Sequence, residues 1–409
     1  MRVLVFSQYF WPESFRINEL VTALHAKGVN VEVLTGKPNY PGGAVFEGHR
    51  AWGFTRELFH GVPLHRVPLM PRGSGAPRLV LNYLSFILSG LVFAPWLLRG
   101  RHFDAIFVFA PSPILQAIPA IGLGWRKKCP VLLWVQDLWP ESLAATGHLS
   151  NPWGLKVVEH VVGWIYRKVD LLLVQSRAFI PKVQALSGNT PIVYYPNSFV
   201  EEGLGAMHQP VKCLGFDSDF PVMFAGNIGT AQAVQVVLEA ATLLRKVEGI
   251  RFVMVGDGSR RDWMQKQAAD RGLSNLVFPG RFPVEWMPTF MARAAALLVT
   301  LADKEIFRLT IPSKIQAYMA AGRPIIACLN GSGAEIVLEA GAGVTVPAED
   351  ASSLAKAVMT LYSMPEQERL EMGARGRKYY EEHFSHNKLV DELIGHLDQA
   401  VSRHKGRDS

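Results

Sequence analysis

The spacing of hydrophobic residues changes period repeatedly along this chain. Residues 3–7 are apolar and rich in β-formers. "INELVTALHAKG" (17–28) then carries its apolar residues at helical spacing and ends on Gly28, and "VNVEVLTG" (29–36) alternates with period two. A strand–helix–strand rhythm of this kind predicts a parallel sheet covered by helices. Further strands are expected at 105–109, 131–135, 171–174 and 192–194. A second series begins near Pro221 with "VMFAG", "RFVMVG", "NLVFPG", "ALLVTL", "PIIACL" and "GVTV", again with helical patterns between them. Two doubly wound α/β domains account for this. The join falls near 196–220, where Pro, Gly and charge replace periodicity, and beyond residue 350 the pattern is helical only.

One stretch breaks the rhythm. Residues 79–98, "LVLNYLSFILSGLVFAPWLL", contain 20 residues without a charge, preceded by Arg72 and Arg78 and followed by Arg99 and Arg101. The length would allow a membrane span. However, the strands before and after it should share one sheet, and the basic residues on both sides give no orientation preference. Three readings remain: a buried core helix, a helix lying in the membrane interface with its arginines at headgroup level, and, disfavoured by these arguments, a true span.

Composition narrows the functional classes. The 409 residues suit roughly two domains. With 49% hydrophobic and 19% charged residues, the chain is expected to fold rather than stay disordered. The net charge of +7 suits an anionic small molecule or an anionic membrane surface. Nucleic acid is disfavoured, because no long Lys/Arg run or basic–aromatic stripe is present. Cys129, Cys213 and Cys328 are far apart and odd in number, which points to a reducing cytoplasm rather than a disulfide framework. "MRVLVFSQYF" reads as a first strand rather than a signal peptide. No His cluster has metal-ligand spacing.

In open α/β sheets, ligands sit beyond the carboxyl ends of the strands, so the loops after strands hold the candidates. There is no glycine between Met1 and Lys27, which argues against a dinucleotide fingerprint in the first loop; Arg16 there could meet an anion. The tetrapeptide Trp-Pro-Glu-Ser occurs at 11–14 and again at 139–142, and the windows 3–14 and 131–142 share seven identities. Pro and Glu suit a helix start, so both glutamates are expected as dipole partners in a first turn. Asp137, directly after a buried strand, is the better candidate for chemistry. Gly226 and Gly229 bracket a strand end before a helix, where a phosphate can reach backbone amides, with Asn227 and Gln232 as neutral donors. Lys314 falls in the first turn of the helix opened by Pro312. A cation there opposes the helix dipole, and a bound anion would resolve the conflict.

Taken in order, "PNYPGG" (38–43), "VQDLWPES" (135–142), "YYPNS" (194–198), "FAGNIGTAQ" (224–232), "VGDGSRR" (255–261) and "IPSKIQAYMAAGRPII" (311–326) resemble family 4 glycosyltransferases of the GT-B fold. Within that family they are most similar to the WbuB-type branch of L-fucosamine or fucose transferases. The resemblance implies two Rossmann-like domains facing across a cleft: an acceptor-binding domain over 1–198, a nucleotide-sugar-binding domain over 199–384, and a C-terminal helix over 385–409 returning to the first. It implies retaining transfer without metal or cofactor, from a nucleotide-sugar, UDP-linked in this branch, to a polyprenyl-diphosphate-linked saccharide. The setting implied is exopolysaccharide, O-antigen or capsule assembly on the inner face of the cytoplasmic membrane. Arg16, Gly226, Asn227, Gly229, Gln232, Arg281, Ser313, Lys314 and Gln316 would hold the donor, with Asp137 and Glu141 at the reacting centre.

Several family positions differ. Phe15 and Arg16 stand near a usual pair of glycines, and Gln136 stands where a histidine is common. Asn227 and Gln232 replace Arg and Lys. The E-x7-E glutamates fall on Leu309 and Ala317; Gln316 is one residue off, and Glu305 and Asp303 are the nearby acidic substitutes. Two rival readings follow, a nucleotide-sugar epimerase on the same fold and a non-catalytic partner in an assembly complex.

Overall fold

The computed structural model describes residues 1–73, 75–145, 149, 151–201 and 214–408. Cys213 and about half of the expected linker, residues 202–213, lie outside them. The chain divides into two compact units, Met1–Pro196 with Asn387–Ser409, and Asn197–His386.

In the first unit the order is β1 (Arg2–Phe6), α1 (Arg16–Ala26), β2 (Asn30–Thr35), β3 (Thr55–Phe59), β4 (Val62–Arg66) and α2 (Ala76–Leu97). There follow β5 (Ala105–Ala110), α3 (Ala117–Lys127), β6 (Val131–Val135), α4 (Glu141–Ala145), α5 (Pro152–Lys168), β7 (Leu171–Val174), α6 (Phe179–Ser187) and β8 (Ile192–Tyr194). These strands form one eight-stranded sheet, β3-β4-β2-β1-β5-β6-β7-β8. Every residue of β5 and β6 is buried, which is why both read as unbroken apolar runs. Only β3, the edge strand, runs antiparallel, paired with β4. The sequence reading missed this hairpin because β3, "TRELF", is half exposed and mostly polar. Strand order reverses between β1 and β5, so the loops after these two strands flank the crevice of this sheet.

The second unit contains β9 (Phe220–Ala225), α7 (Gln235–Leu243), β10 (Ile250–Val255), α8 (Arg261–Asp270), β11 (Leu276–Gly280), α9 (Met287–Arg293), β12 (Ala296–Thr300) and α10 (Glu305–Leu309). It continues with α11 (Ser313–Ala320), β13 (Ile325–Cys328), α12 (Ser332–Glu339), β14 (Gly343–Val346), α13 (Ala351–Ser363) and α14 (Glu366–His383). Its six parallel strands run β11-β10-β9-β12-β13-β14, the doubly wound dinucleotide-fold order, with the reversal between β9 and β12. The last helix, α15 (His386–Asp408), belongs to the first unit from Asn387 onward. There Leu389, Val390, Leu393 and Leu397 are buried in the core, and the Tyr195 hydroxyl donates to the Leu389 carbonyl at 2.9 Å.

Helix α2 is neither wholly buried nor wholly exposed. Asn82, Tyr83, Phe86, Ile87 and Ala94 recur at helical spacing and are buried. Opposite them, Val80, Leu81, Leu84, Leu88, Leu91, Val92 and Trp96 are each more than 40% exposed. Only a third of its most apolar window is buried, so a plain core helix does not describe it. Phe54 extends the outer apolar face, with its ring 4.8 Å from Phe93 and 5.4 Å from Trp96.

Candidate functional site

The second unit assembles its candidate site at the β9–β12 reversal. Gly226 follows β9 directly with φ +123°, and its N–H donates to the Val255 carbonyl at 2.9 Å. Two further glycines allow the loop after β10 to lie against it: a side chain on Gly256 would overlap the Gly226 carbonyl oxygen, and one on Gly258 would come within 2.5 Å of the Ile228 oxygen. The β9 loop is also tied to the far side of the crevice, through Ala302 N–H to the Ala231 carbonyl at 2.9 Å and the Thr300 hydroxyl to the Gln232 carbonyl. Within the loop, the Asn227 amide donates to Gln232 Oε1 at 3.1 Å, and Gly229 lies against both side chains.

Lys314 joins this loop from the side. It is the second residue of α11, whose first N–H groups have no side-chain cap. Its ammonium lies 4.2 Å from the Phe224 ring centroid, and a Cβ on Gly226 would stand 3.3 Å from Nζ. Among the described residues no carboxylate pairs with it, and burial pushes its pKa down to about 8. The Tyr318 hydroxyl, one turn further along α11, accepts from the Ala225 N–H at 3.0 Å and locks helix to loop. The result brings glycine backbone and a partly buried cation together where β9 meets α11, chemistry suited to an anion.

Other expected donor residues are placed differently. Ser313 is exposed at the first position of α11, and Arg281 is exposed just past β11, two strands from β9. Gln316 does not present its amide to the surface. It is 1% exposed and donates to the Asn197 carbonyl at 2.7 Å, because its helical phase turns it inward. Asp303 is not a free acidic substitute. Its two oxygens accept from Arg308 at 2.7 Å each and Oδ1 also from Asn330, and Arg308 holds its pKa down at about 2.

In the first unit, Arg16 opens α1, with burial pushing its guanidinium down to about 10. Glu13 departs from the first-turn expectation. It precedes α1 by three residues and is 2% exposed, and its carboxylate accepts N–H groups from Phe10 at 3.1 Å and from Asn39 and Tyr40 at 2.7 Å. It therefore welds the β1 loop to "PNYPGG". Glu141 does open α4, and lies 3.7 Å from Lys182. Asp137, past the end of β6, is pushed up to about 6, mainly by burial and slightly by Glu141. Ser142, Trp139 and the Leu138 N–H offset part of that rise. It lines a cavity of about 370 Å³ together with Arg72, Tyr83, Ser112 and apolar side chains.

A polar hub missed by sequence reasoning supports this cavity. Asn82 accepts from Gln8 at 2.7 Å and donates to the Met70 carbonyl at 2.6 Å, while the Gln8 N–H donates to Gln116 at 2.6 Å. An asparagine inside an otherwise apolar helix was the available signal. Among the described residues no cluster of His, Cys, Asp and Glu could hold a metal.

Residues 14–198 match the family described as Glycosyl transferase 4-like domain, and residues 219–364 match Glycosyl transferases group 1. One similar protein is WcaI of Escherichia coli K12, assigned as a glycosyl transferase of colanic acid biosynthesis. It is 26% identical over 338 residues, covering 79% of this chain and 82% of WcaI. WbjE of Pseudomonas aeruginosa, assigned as a glycosyltransferase, is 27% identical over 300 residues, covering 70% of this chain and 73% of its own. Among solved structures, Anabaena HepE in complex with UDP superposes with a TM-score of 0.70 at 14% identity, covering 98% of this chain and 100% of HepE. The E. coli trehalose-6-phosphate protein bound with UDP-2-fluoro glucose gives 0.73 at 13%, covering 98% and 99%. Identities this low speak to fold alone.

Proposed function

We infer the reaction from the premise that this chain is a family 4 glycosyltransferase of the GT-B fold. The proposed reaction moves a sugar, with retention, from a nucleotide-sugar to a lipid-linked saccharide during assembly of a surface polysaccharide. The observation that carries the donor side is the Lys314 ammonium, desolvated against the Gly226 loop and without a carboxylate partner among the described residues. As the glycosidic bond to the diphosphate breaks, negative charge grows on the leaving oxygens. Cations and amides fixed beforehand stabilise that state more than the ground state. UDP as the nucleotide is supported by the ligands named for HepE and the trehalose-6-phosphate protein. A polysaccharide product is supported by the colanic acid assignment of WcaI. An N-acetylated deoxysugar such as L-FucNAc is the donor this reading favours within the WbuB-type branch.

On the acceptor side, Asp137 orients the attacking hydroxyl, and in retaining chemistry the departing phosphate takes its proton. The exposed apolar face of α2 and its flanking arginines support a location on an anionic membrane, on the cytoplasmic side where nucleotide-sugars are made.

The test is a panel of UDP-, GDP- and dTDP-sugars offered with polyprenyl-diphosphate saccharides in vesicles. Products are read by mass spectrometry and the new linkage by NMR. Lipid-linked product of unchanged anomeric configuration is expected. Epimerised free nucleotide-sugar without lipid product would overturn the reading.

A further inference from the structure

The cavity beside Asp137 is too apolar to serve a sugar alone. Leu79, Val80 and Leu84 of α2, Leu115 after β5, Leu143 of α4 and Val158 of α5 line it. Apolar wall left in water costs roughly 25 cal/mol per Å², so the cavity favours a hydrocarbon occupant. Its volume of about 370 Å³ lies near the lower end of the roughly 300–1,000 Å³ typical of small-molecule clefts. It can therefore hold a short segment of a long chain, not the whole.

Two features say which hydrocarbon. Val80 and Leu84 belong both to the cavity wall and to the exposed stripe of α2, at 53% and 46% exposure. A chain lying along the outer face of α2 can thus enter without crossing a polar rim. The second feature is Arg72, the one cation on the wall among the described residues. Its contacts are neutral: the Tyr9 hydroxyl at 3.4 Å and the Tyr40 ring, 5.2 Å away. Among the described residues no carboxylate pairs with it, which leaves the guanidinium for an anion from outside.

We propose that this cavity binds the isoprenoid segment nearest the phosphate of a polyprenyl-phosphate lipid, with Arg72 on the phosphate and the rest of the chain along α2. The acceptor would then be gripped by its lipid as well as its sugar. This use of the site rests on the lipid-linked acceptor reading above; the binding itself does not.

Trp139 on the cavity wall makes binding measurable. Farnesyl phosphate, farnesol, inorganic phosphate and 12-bromododecyl phosphate are titrated below micellar concentrations. Bromine quenching of tryptophan fluorescence is compared with a Trp139→Phe control. The proposal expects quenching that Trp139→Phe removes, and farnesyl phosphate binding at least tenfold tighter than farnesol. Leu115→Trp, which fills the cavity, should weaken farnesyl phosphate at least tenfold, and Arg72→Gln should erase the preference over farnesol. Wild-type protein that fails to bind farnesyl phosphate, or quenching that survives in Trp139→Phe, overturns the proposal; equal binding of farnesol overturns the phosphate assignment to Arg72. If binding follows the expected pattern but no lipid-linked saccharide accepts sugar, the cavity stands and the transferase acceptor reading falls.

Discussion

The Lys314 ammonium lies 4.2 Å from the centroid of the Phe224 ring, on the residue two positions before the loop glycine Gly226. The ring offers a cation roughly 0.5–2 kcal/mol of attraction, but it supplies no counter-charge. Removing one such fixed charge near a developing oxyanion typically lowers kcat by roughly 10²–10³. Lys314→Met should therefore lose transfer at about that scale while keeping the fold. The pH response has a definite sign. Donor binding needs the charged form, so it should weaken as pH rises through about 8 in wild type, and this limb should vanish in Lys314→Met. Between about 8 and the ordinary 10.5, the unfolded chain holds a proton that the folded chain has lost, so stability rises with pH across that window. Titrating donor affinity and thermal midpoint from pH 7 to 10 checks both; identical profiles in the two proteins would remove Lys314 from the site.

Asp137 gives the opposite limb. Burial lifts its pKa to about 6, so between the ordinary 3.8 and about 6 the folded chain holds the proton and stability falls as pH rises. Orientation of an acceptor hydroxyl needs the carboxylate, so activity should climb through about pH 6. Asp137→Asn should flatten that climb, lower kcat tenfold or more, and raise the melting temperature above pH 6. A variant with wild-type kcat would exclude Asp137 from the reaction.

The loops after β9 and β10 meet backbone to backbone at Gly256, where φ is +139° and a side chain would overlap the Gly226 oxygen. Gly256→Ala should cost roughly 2–5 kcal/mol, combining left-handed strain with overpacking, and should weaken donor binding in whatever protein still folds. Gly395, inside α15, is the control, because a Cβ added there would meet nothing within 4 Å. Gly395→Ala should gain roughly 0.5–1 kcal/mol. Denaturant unfolding of both proteins decides; equal effects would mean that the loop contact is slack.

Legibility in the sequence followed the range of the interactions. The buried parallel strands β5, β6 and β13 declare themselves as short apolar runs, because their covering is the same on both faces. Lys314 could be located because it violates a local rule, the helix dipole. Gln316 could not be oriented, because one residue of helical phase, about 100°, separates facing Asn197 from facing outward. Glu13 looked like helix-start grammar because its true partners, the Asn39 and Tyr40 amides, lie 26 and 27 residues away. That long-range weld is testable. In Glu13→Gln, one amide proton must face the N–H groups the carboxylate now accepts, and leaving buried donors unsatisfied costs roughly 1–3 kcal/mol. Chemical denaturation should show that loss, and no loss would mean that the loop is held elsewhere.

The outer face of α2 separates membrane affinity from stability. Leu88 and Val92 are 62% and 63% exposed, so polar substitution removes little burial from the fold. Leu88→Gln with Val92→Gln should leave the unfolding free energy within about 0.5 kcal/mol, as for ordinary surface changes. The same pair should sharply reduce co-sedimentation with vesicles containing anionic lipid, because it interrupts the stripe that would enter the interface. Salt gives the second reading. The charge contribution rests on Arg78 and Arg99, both exposed at the ends of the helix, and is screened at high ionic strength, whereas the apolar contribution is not. Wild type should therefore retain part of its binding in high salt and the double variant should retain almost none. Unchanged sedimentation of the double variant would mean that this face meets something other than a bilayer.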